Sequence, residues 1–222
     1  MRWNDIENHE PLEEYVSLEK HIFKKTALYQ YLETNNMPFS KMALDLAGQY
    51  HTGLRKDGKT PEIDHQVSIS RYLLKFKTNM MYPDETIASA LLHDLSEDYN
   101  FLYGDIKKYF GGRISRAVVL LTKEYFGVKR VPEIYFSQIT SDPIASIVKG
   151  ADRVHNVHTI QAFKPAKKIE YTDETRDWII PCLLEAKENF PKQASIYDKM
   201  VHILGYKINN IVKGVEGIQN DK

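Results

Sequence analysis

Apolar residues recur along this chain at steps of three and four, and the rhythm holds almost from end to end. Residues 10–35 carry Leu12, Tyr15, Leu18, Ile22, Phe23, Leu28 and Tyr31 at such steps, which predicts a first helix. Ser40 reads as the cap of a second helix holding Met42, Ala43, Leu46, Ala47 and Tyr50. The stretch 53–64 has two glycines and a proline and reads as a loop. Helices follow at about 64–77, 83–98, 104–110 and 113–123. Residues 126–132 read as a connection, and the 124–132 region leaves room for a short β-hairpin. Pro132 and Pro143 each suit a first helical position. A long helix is predicted over 143–160, with Ile144, Ile147, Val148, Ala151 and Val154 on its apolar face. Two more are expected near 171–190 and 194–214. There is no internal repeat, low-complexity tract or Gly/Ser linker, so the pattern predicts one all-α domain over 1–222.

Composition narrows the function classes. No stretch approaches the roughly 20 apolar residues that span a bilayer, and the acidic, polar start MRWNDIENHEPLEEY lacks the apolar core of a signal peptide. The single cysteine, Cys182, excludes an internal disulfide and a cysteine zinc cage, and fits a reducing, cytoplasmic setting. Lysine plus arginine equals aspartate plus glutamate at 30 each, which argues against a general nucleic-acid binder. A local basic pocket for a small phosphorylated ligand is compatible with that balance. Nothing in the pattern fixes an oligomeric state.

Three separated segments carry metal-capable or proton-capable side chains. The first is IDHQ, with His65. The second is HDLSED, where His93 and Asp94 precede Glu97 and Asp98 by one helical turn. The third is VKGADRVHNVHT, with Asp152 four residues before Asn156. Burying the HDLSED cluster without a compensating ion would be costly. Two imidazoles and two carboxylates suit Mn²⁺, Fe²⁺ or Zn²⁺ better than Ca²⁺. Such an ion polarises phosphate and lowers the pKa of bound water, and Glu97 and Asp98 would orient or deprotonate that water. Adjacent His and Asp on one helix do not face each other, so this reading requires His65 and Asp152 to arrive from other helices.

The order His65, His93-Asp94, Asp152 resembles the HD-domain metal phosphohydrolases, and the flanking text narrows this. RKDGKTPEIDH (55–65), ALLHDLSED (90–98), FGGRISRAVVLLTK (110–123) and VKGADRVHNVHT (148–159) resemble four segments of the RelA/SpoT hydrolase domain, in order, over about residues 40–162. The resemblance implies a multi-helix bundle around a metal and Mn²⁺-dependent release of pyrophosphate from the ribose 3′ position of ppGpp and pppGpp. It implies His65, His93, Asp94 and Asp152 as metal ligands and Glu97 and Asp98 as the hydrolytic pair. It also implies Arg55, stacking on the base, with Lys56, Asn156 and Thr159 as nucleotide contacts. The chain looks like a small, hydrolase-only form, without room for a synthetase domain.

Four positions depart from the resembled pattern. Glu62 stands for Tyr, Gln66 for Pro, Gly150 for Leu and His158 for Arg. Glu62 and His158 fall near the expected nucleotide pocket, which leaves base identity and phosphate number open. Plainer readings stand beside the sharper ones. His51 reads as structural, and His155 and His158 as pocket wall or solvated. Arg55, Lys56 and Lys59 also suit a solvated loop, and Glu97 and Asp98 an ordinary polar helix end. Other functions to weigh are an HD phosphohydrolase acting on a different nucleotide, such as ppApp, and a nucleotide sensor with little turnover. An antitoxin that degrades an alarmone made by a paired synthetase would use the same chemistry.

Overall fold

The computed structural model describes residues 18–160 and 163–220. Leu12 and Tyr15 of the expected first helix lie outside the described residues. The elements run α1 (Leu18–Thr34), α2 (Pro38–Tyr50), α3 (Ile63–Leu74), α4 (Pro83–Leu92), α5 (Leu95–Tyr99) and α6 (Tyr103–Leu121). A two-stranded hairpin follows, β1 (Glu124–Tyr125) and β2 (Val128–Lys129), then α7 (Pro132–Thr140), α8 (Ala145–His158), α9 (Pro165–Glu174), α10 (Ile180–Asn189) and α11 (Ala194–Asn220). Among the described residues the fold is all-α apart from that hairpin and an isolated bridge between Leu54 and Pro61. Its turn places Phe126 and Gly127 at positive φ, the geometry that matches hairpin twist.

The core is organised around α4 and α8. Every residue of α4 from Thr86 to Leu92 is buried, because α2, α3, α6 and α8 all pack on it. A helix apolar all round belongs at the centre of a bundle, and each buried Ile or Leu side chain contributes about 1.5–3 kcal/mol. On α8, Ile147, Val148 and Ala151 are buried, and α10 and α11 close over the helix on another side. That closure explains Gly150: a Cβ there would come within 2.6 Å of Met200 Sδ and 2.8 Å of Leu183 Cδ2. The side chain missing from Gly150 is replaced by neighbours from α10 and α11.

Several boundaries differ from the sequence expectation, each for a local reason. Ser40 is not a cap: α2 starts at Pro38. Asp84, in the first turn of α4, instead accepts hydrogen bonds from the backbone N–H groups of Phe39 (3.1 Å) and Ser40 (2.8 Å). A carboxylate from a neighbouring helix thus satisfies donors that a local cap ordinarily serves. The α3 helix ends at Leu74, ahead of a single 3₁₀ turn, Lys77–Asn79. The break expected between 110 and 113 occurs as a kink at Gly111 (φ 81°) inside α6. Asp142 caps the start of α8, accepting from Ile144 N (3.0 Å) and Ala145 N (2.9 Å) across Pro143. The helix expected at 171–190 begins earlier, at Pro165, and is interrupted by a wide π-type turn at Thr175–Ile179. Pro181 has no N–H to return to Asp177, so the regular ladder cannot run through.

The most consequential correction is at HDLSED. The single helix expected over 83–98 is two helices, with α4 ending at Leu92 and α5 beginning at Leu95. His93 and Asp94 form the joint, and Asp94 relaxes to φ −92°, ψ −10°. In an unbroken helix neighbouring side chains diverge by about 100°. At this joint His93 Nε2 nevertheless lies 3.0 Å from Asp94 Oδ1.

Candidate metal and phosphate site

A cavity of about 760 Å³ opens where α3, the α4–α5 joint and α8 meet. At its base His65 Nε2 lies 3.2 Å from Asp152 Oδ1 and 3.7 Å from Asp94 Oδ2. His93 Nε2 lies 3.0 Å from Asp94 Oδ1 and 3.9 Å from Asp152 Oδ1. One ligand atom each from His65, His93 and Asp152 falls within 4.8 Å of the others, all three residues being buried. Asp94 stands beside this trio, with one carboxylate oxygen against each imidazole.

The donor set fits a divalent cation on grounds internal to the structure. His93 Nδ1 donates to the backbone oxygen of Ala90 at 2.8 Å. A carbonyl can only accept, so the ring hydrogen sits on Nδ1 and Nε2 turns toward the two carboxylates. That Nε2 is buried without a hydrogen-bond partner. Such an outer-sphere brace on one imidazole nitrogen, with the other facing acids, is the usual arrangement of a metal-binding histidine. Burial works against a charged His93, yet Asp94 and Asp152 outweigh it and lift the ring to about 9. The corner therefore favours positive charge. His65 goes the other way, held below its ordinary pKa chiefly by burial, despite Asp152.

Further contacts hold the acids in place. Gln66 Nε2 donates to Asp94 Oδ2 at 3.2 Å, a contact that proline at this position could not make. Asn156 Nδ2 donates to Asp152 Oδ1 at 2.6 Å, and Lys149 Nζ sits 3.5 Å from Asp152 Oδ2. Lys149, Asp152, Arg153 and Asn156 share one face of α8 through the helical spacing of three, four and seven. Burial pulls on Asp152, but His65 and Lys149 keep it well below the usual carboxylate range.

Glu97 and Asp98 both line the cavity and behave differently. Glu97 Oε2 accepts from the backbone N–H of Lys123 at 2.8 Å, which fixes it at the foot of the hairpin. Asp98 is raised to about 6, first by partial enclosure and then by Asp94 and Glu97.

Arg55 and Lys56 do not sit on a loose loop. Asp57 accepts from Lys59 N (2.8 Å), Thr60 N (2.9 Å) and Thr60 Oγ1 (2.6 Å), and Leu54 pairs with Pro61 across the neck. The turn thus presents Arg55 to the cavity and carries Lys56 Nζ 5.5 Å above the Phe163 ring. Thr159 caps α8 and also lines the cavity. Glu62 lines the same wall, its Oε2 accepting from Tyr99 Oη at 2.8 Å. His51 is buried edge-on against Tyr99, and burial lowers it to about 4.

Several contributors escaped the sequence reading. The buried Arg153 donates from Nη2 to Glu174 Oε2 at 2.6 Å and stacks 4.7 Å from the Tyr171 ring centre. Glu174 also accepts from Lys123 Nζ at 2.6 Å. Burial opposes its charge, but Arg153 and Lys123 bring it down to about 2. This network ties α8, α9 and the hairpin into one outer wall. Its α8 members were legible in the helical stripe; its α9 members carried no spacing signal. His155, read as pocket wall or solvated, lines the cavity and also places Nδ1 2.9 Å from His65 Nδ1.

No protein-family model matches the chain. Among curated proteins it is 26% identical over 176 residues to the probable GTP pyrophosphokinase of Mycobacterium leprae, covering 77% of this chain and 21% of that one. It is 26% identical over 159 residues to the bifunctional (p)ppGpp synthase/hydrolase SpoT of Escherichia coli, covering 68% and 22%. It is 30% identical over 143 residues to the GTP pyrophosphokinase rsh of Brucella melitensis, covering 61% and 18%. The chain thus spans about a fifth of the length of these relatives. Among solved structures it is similar to a metazoan ortholog of SpoT that hydrolyses ppGpp, with a TM-score of 0.53 and 18% identity, covering 79% of this chain and 94% of that one. The chain resembles the RelA/SpoT-type HD hydrolase domain in both sequence and fold.

Proposed function

We propose that this protein is a metal-dependent phosphohydrolase that removes pyrophosphate from the 3′ position of (p)ppGpp. The observation that carries the reading is the convergence of His65, His93 and Asp152, with Asp94 alongside, at the base of a cavity lined by Arg55, Lys56 and Lys149. In this reading the four residues hold Mn²⁺. A bound ion of this kind polarises a phosphate oxygen and lowers the pKa of water. Asp98, poised near 6, takes the proton of the attacking water on a carboxylate oxygen, and the anchored Glu97 orients that water. Arg55 stacks on the base, and Lys56, Asn156 and Thr159 contact the nucleotide. The SpoT relative is named as a (p)ppGpp synthase/hydrolase, which supports the substrate class.

Glu62 favours a second reading on substrate. A carboxylate stands on the cavity wall where the resembled pattern has an aromatic ring, which points to a different base preference, ppApp included. We assign the activity to the cytoplasm, where a role as antitoxin to an alarmone synthetase would use the same chemistry. Among the described residues no helix is long and apolar enough to cross a membrane. The test is a turnover screen of the Mn²⁺-loaded protein on ppGpp, pppGpp, ppApp and ordinary nucleotides, following pyrophosphate release. Hydrolysis of an ordinary nucleotide alone would reject the alarmone reading and leave the broader phosphohydrolase one.

A further inference from the structure

We infer that His155 is a positioning residue of the metal site, fixing the orientation and tautomer of His65 through an imidazole–imidazole hydrogen bond. The inference rests on the metal reading above. The two Nδ1 atoms are 2.9 Å apart, and the rings meet edge to face with centres 4.8 Å apart. Two imidazole nitrogens at that distance share one hydrogen, so one ring donates and the other accepts.

The role of each ring follows from the other nitrogen of His65. Its Nε2 is the atom that faces the acids, 3.2 Å from Asp152 Oδ1 and 3.7 Å from Asp94 Oδ2. A nitrogen that gives its lone pair to a cation carries no hydrogen, so a neutral His65 has its hydrogen on Nδ1. His65 therefore donates, and His155 accepts at Nδ1. His155 must then be neutral, with its own hydrogen on Nε2. Its Nε2 finds no hydrogen-bond partner among the described residues, and the ring lines the cavity, so Nε2–H is left to donate to an anionic ligand.

The two candidate ligand histidines are thus braced differently. His93 leans on a carbonyl of its own helix, Ala90, which no substitution removes. His65, on α3, leans on a side chain of α8, three residues beyond Asp152. One helix therefore supplies both a carboxylate and the brace for an imidazole from another helix.

The test is calorimetric titration of Mn²⁺ into the metal-free full chain, comparing wild type, His155→Phe and His155→Asn. Removing an outer partner of a ligand histidine typically weakens metal binding about 10–100-fold, and His155→Phe is expected to do so. Asparagine presents a carbonyl oxygen close to the place of Nδ1, so His155→Asn should recover most of the loss. Equal affinity in wild type and His155→Phe would overturn the inference while leaving the metal reading intact. A wild type that binds no Mn²⁺ would remove the metal reading, and this inference with it. If His155→Phe does not fold, nitrogen-15 spectra of the wild type with diamagnetic Zn²⁺ decide the matter. The hydrogen of His155 on Nε2 supports the brace, and on Nδ1 overturns it.

Discussion

His93 ends a helix buried on every side, whereas Arg55 sits on a turn at the mouth of the same cavity. Around His93 the imidazoles and carboxylates come from three helices packed on a common core, and each acid has at least two polar neighbours. Around Arg55 the wall is assembled from a hydrogen-bonded turn, the end of α8 and the start of α9, and cations lie against the faces of Phe163 and Tyr171. The deep corner is rigid because moving His65, His93 or Asp152 means repacking α3, α4 or α8. The outer wall can change residue by residue without disturbing the core, as Glu62 illustrates.

The sharpest way to break this comparison is at Asp94. Asp94→Ala removes the carboxylate that faces both imidazoles and leaves Gln66 without its acceptor. Metal retention should fall by more than the ~10–100-fold typical of outer partners, and turnover should be lost with it. Full metal occupancy by elemental analysis would show that the three-residue cluster suffices. A smaller effect is expected at Glu97. Glutamine keeps an oxygen to accept from Lys123 N–H, so Glu97→Gln should preserve the fold and metal content and lower kcat by about 10²-fold, the scale of a proton-handling group. A rate equal to wild type would assign the water's activation to other groups. The smallest effect belongs to the outer wall. In its proposed role Arg55 stacks on the base, a contact of about 1–3 kcal/mol made both before and during reaction, so Arg55→Ala should raise KM about ten-fold with little change in kcat. A matched fall in kcat would move Arg55 from the outer wall to the reacting centre.

The convergence of His65, His93 and Asp152 was foreshadowed in the sequence because few residue types can hold an ion, and these three, with Asp94, occur in short, ordered motifs. Lys149 and Arg153 were readable in principle from the helical stripe they share with Asp152. Gln66 and Glu174 were not, since an amide or carboxylate on a helix has many uses and takes its role only from what stands opposite. His155 was read as pocket wall, which it is, but its bond to His65 was not legible, for the same reason. Its neighbour in space, His65, is ninety residues away in sequence.

Sequence alone determined the helical bundle, because apolar periodicity encodes which face of each segment must leave water, and it determined which residues are chemically able to hold an ion. Tertiary structure decided three further things. It broke the helix at His93 and Asp94, and it capped α2 with Asp84 from another helix rather than with Ser40. It also joined His65 to His155 and Arg153 to Glu174. Hydrogen-bond partners and pKa values depend on distances of a few ångströms between segments, and local sequence fixes such distances only within a segment.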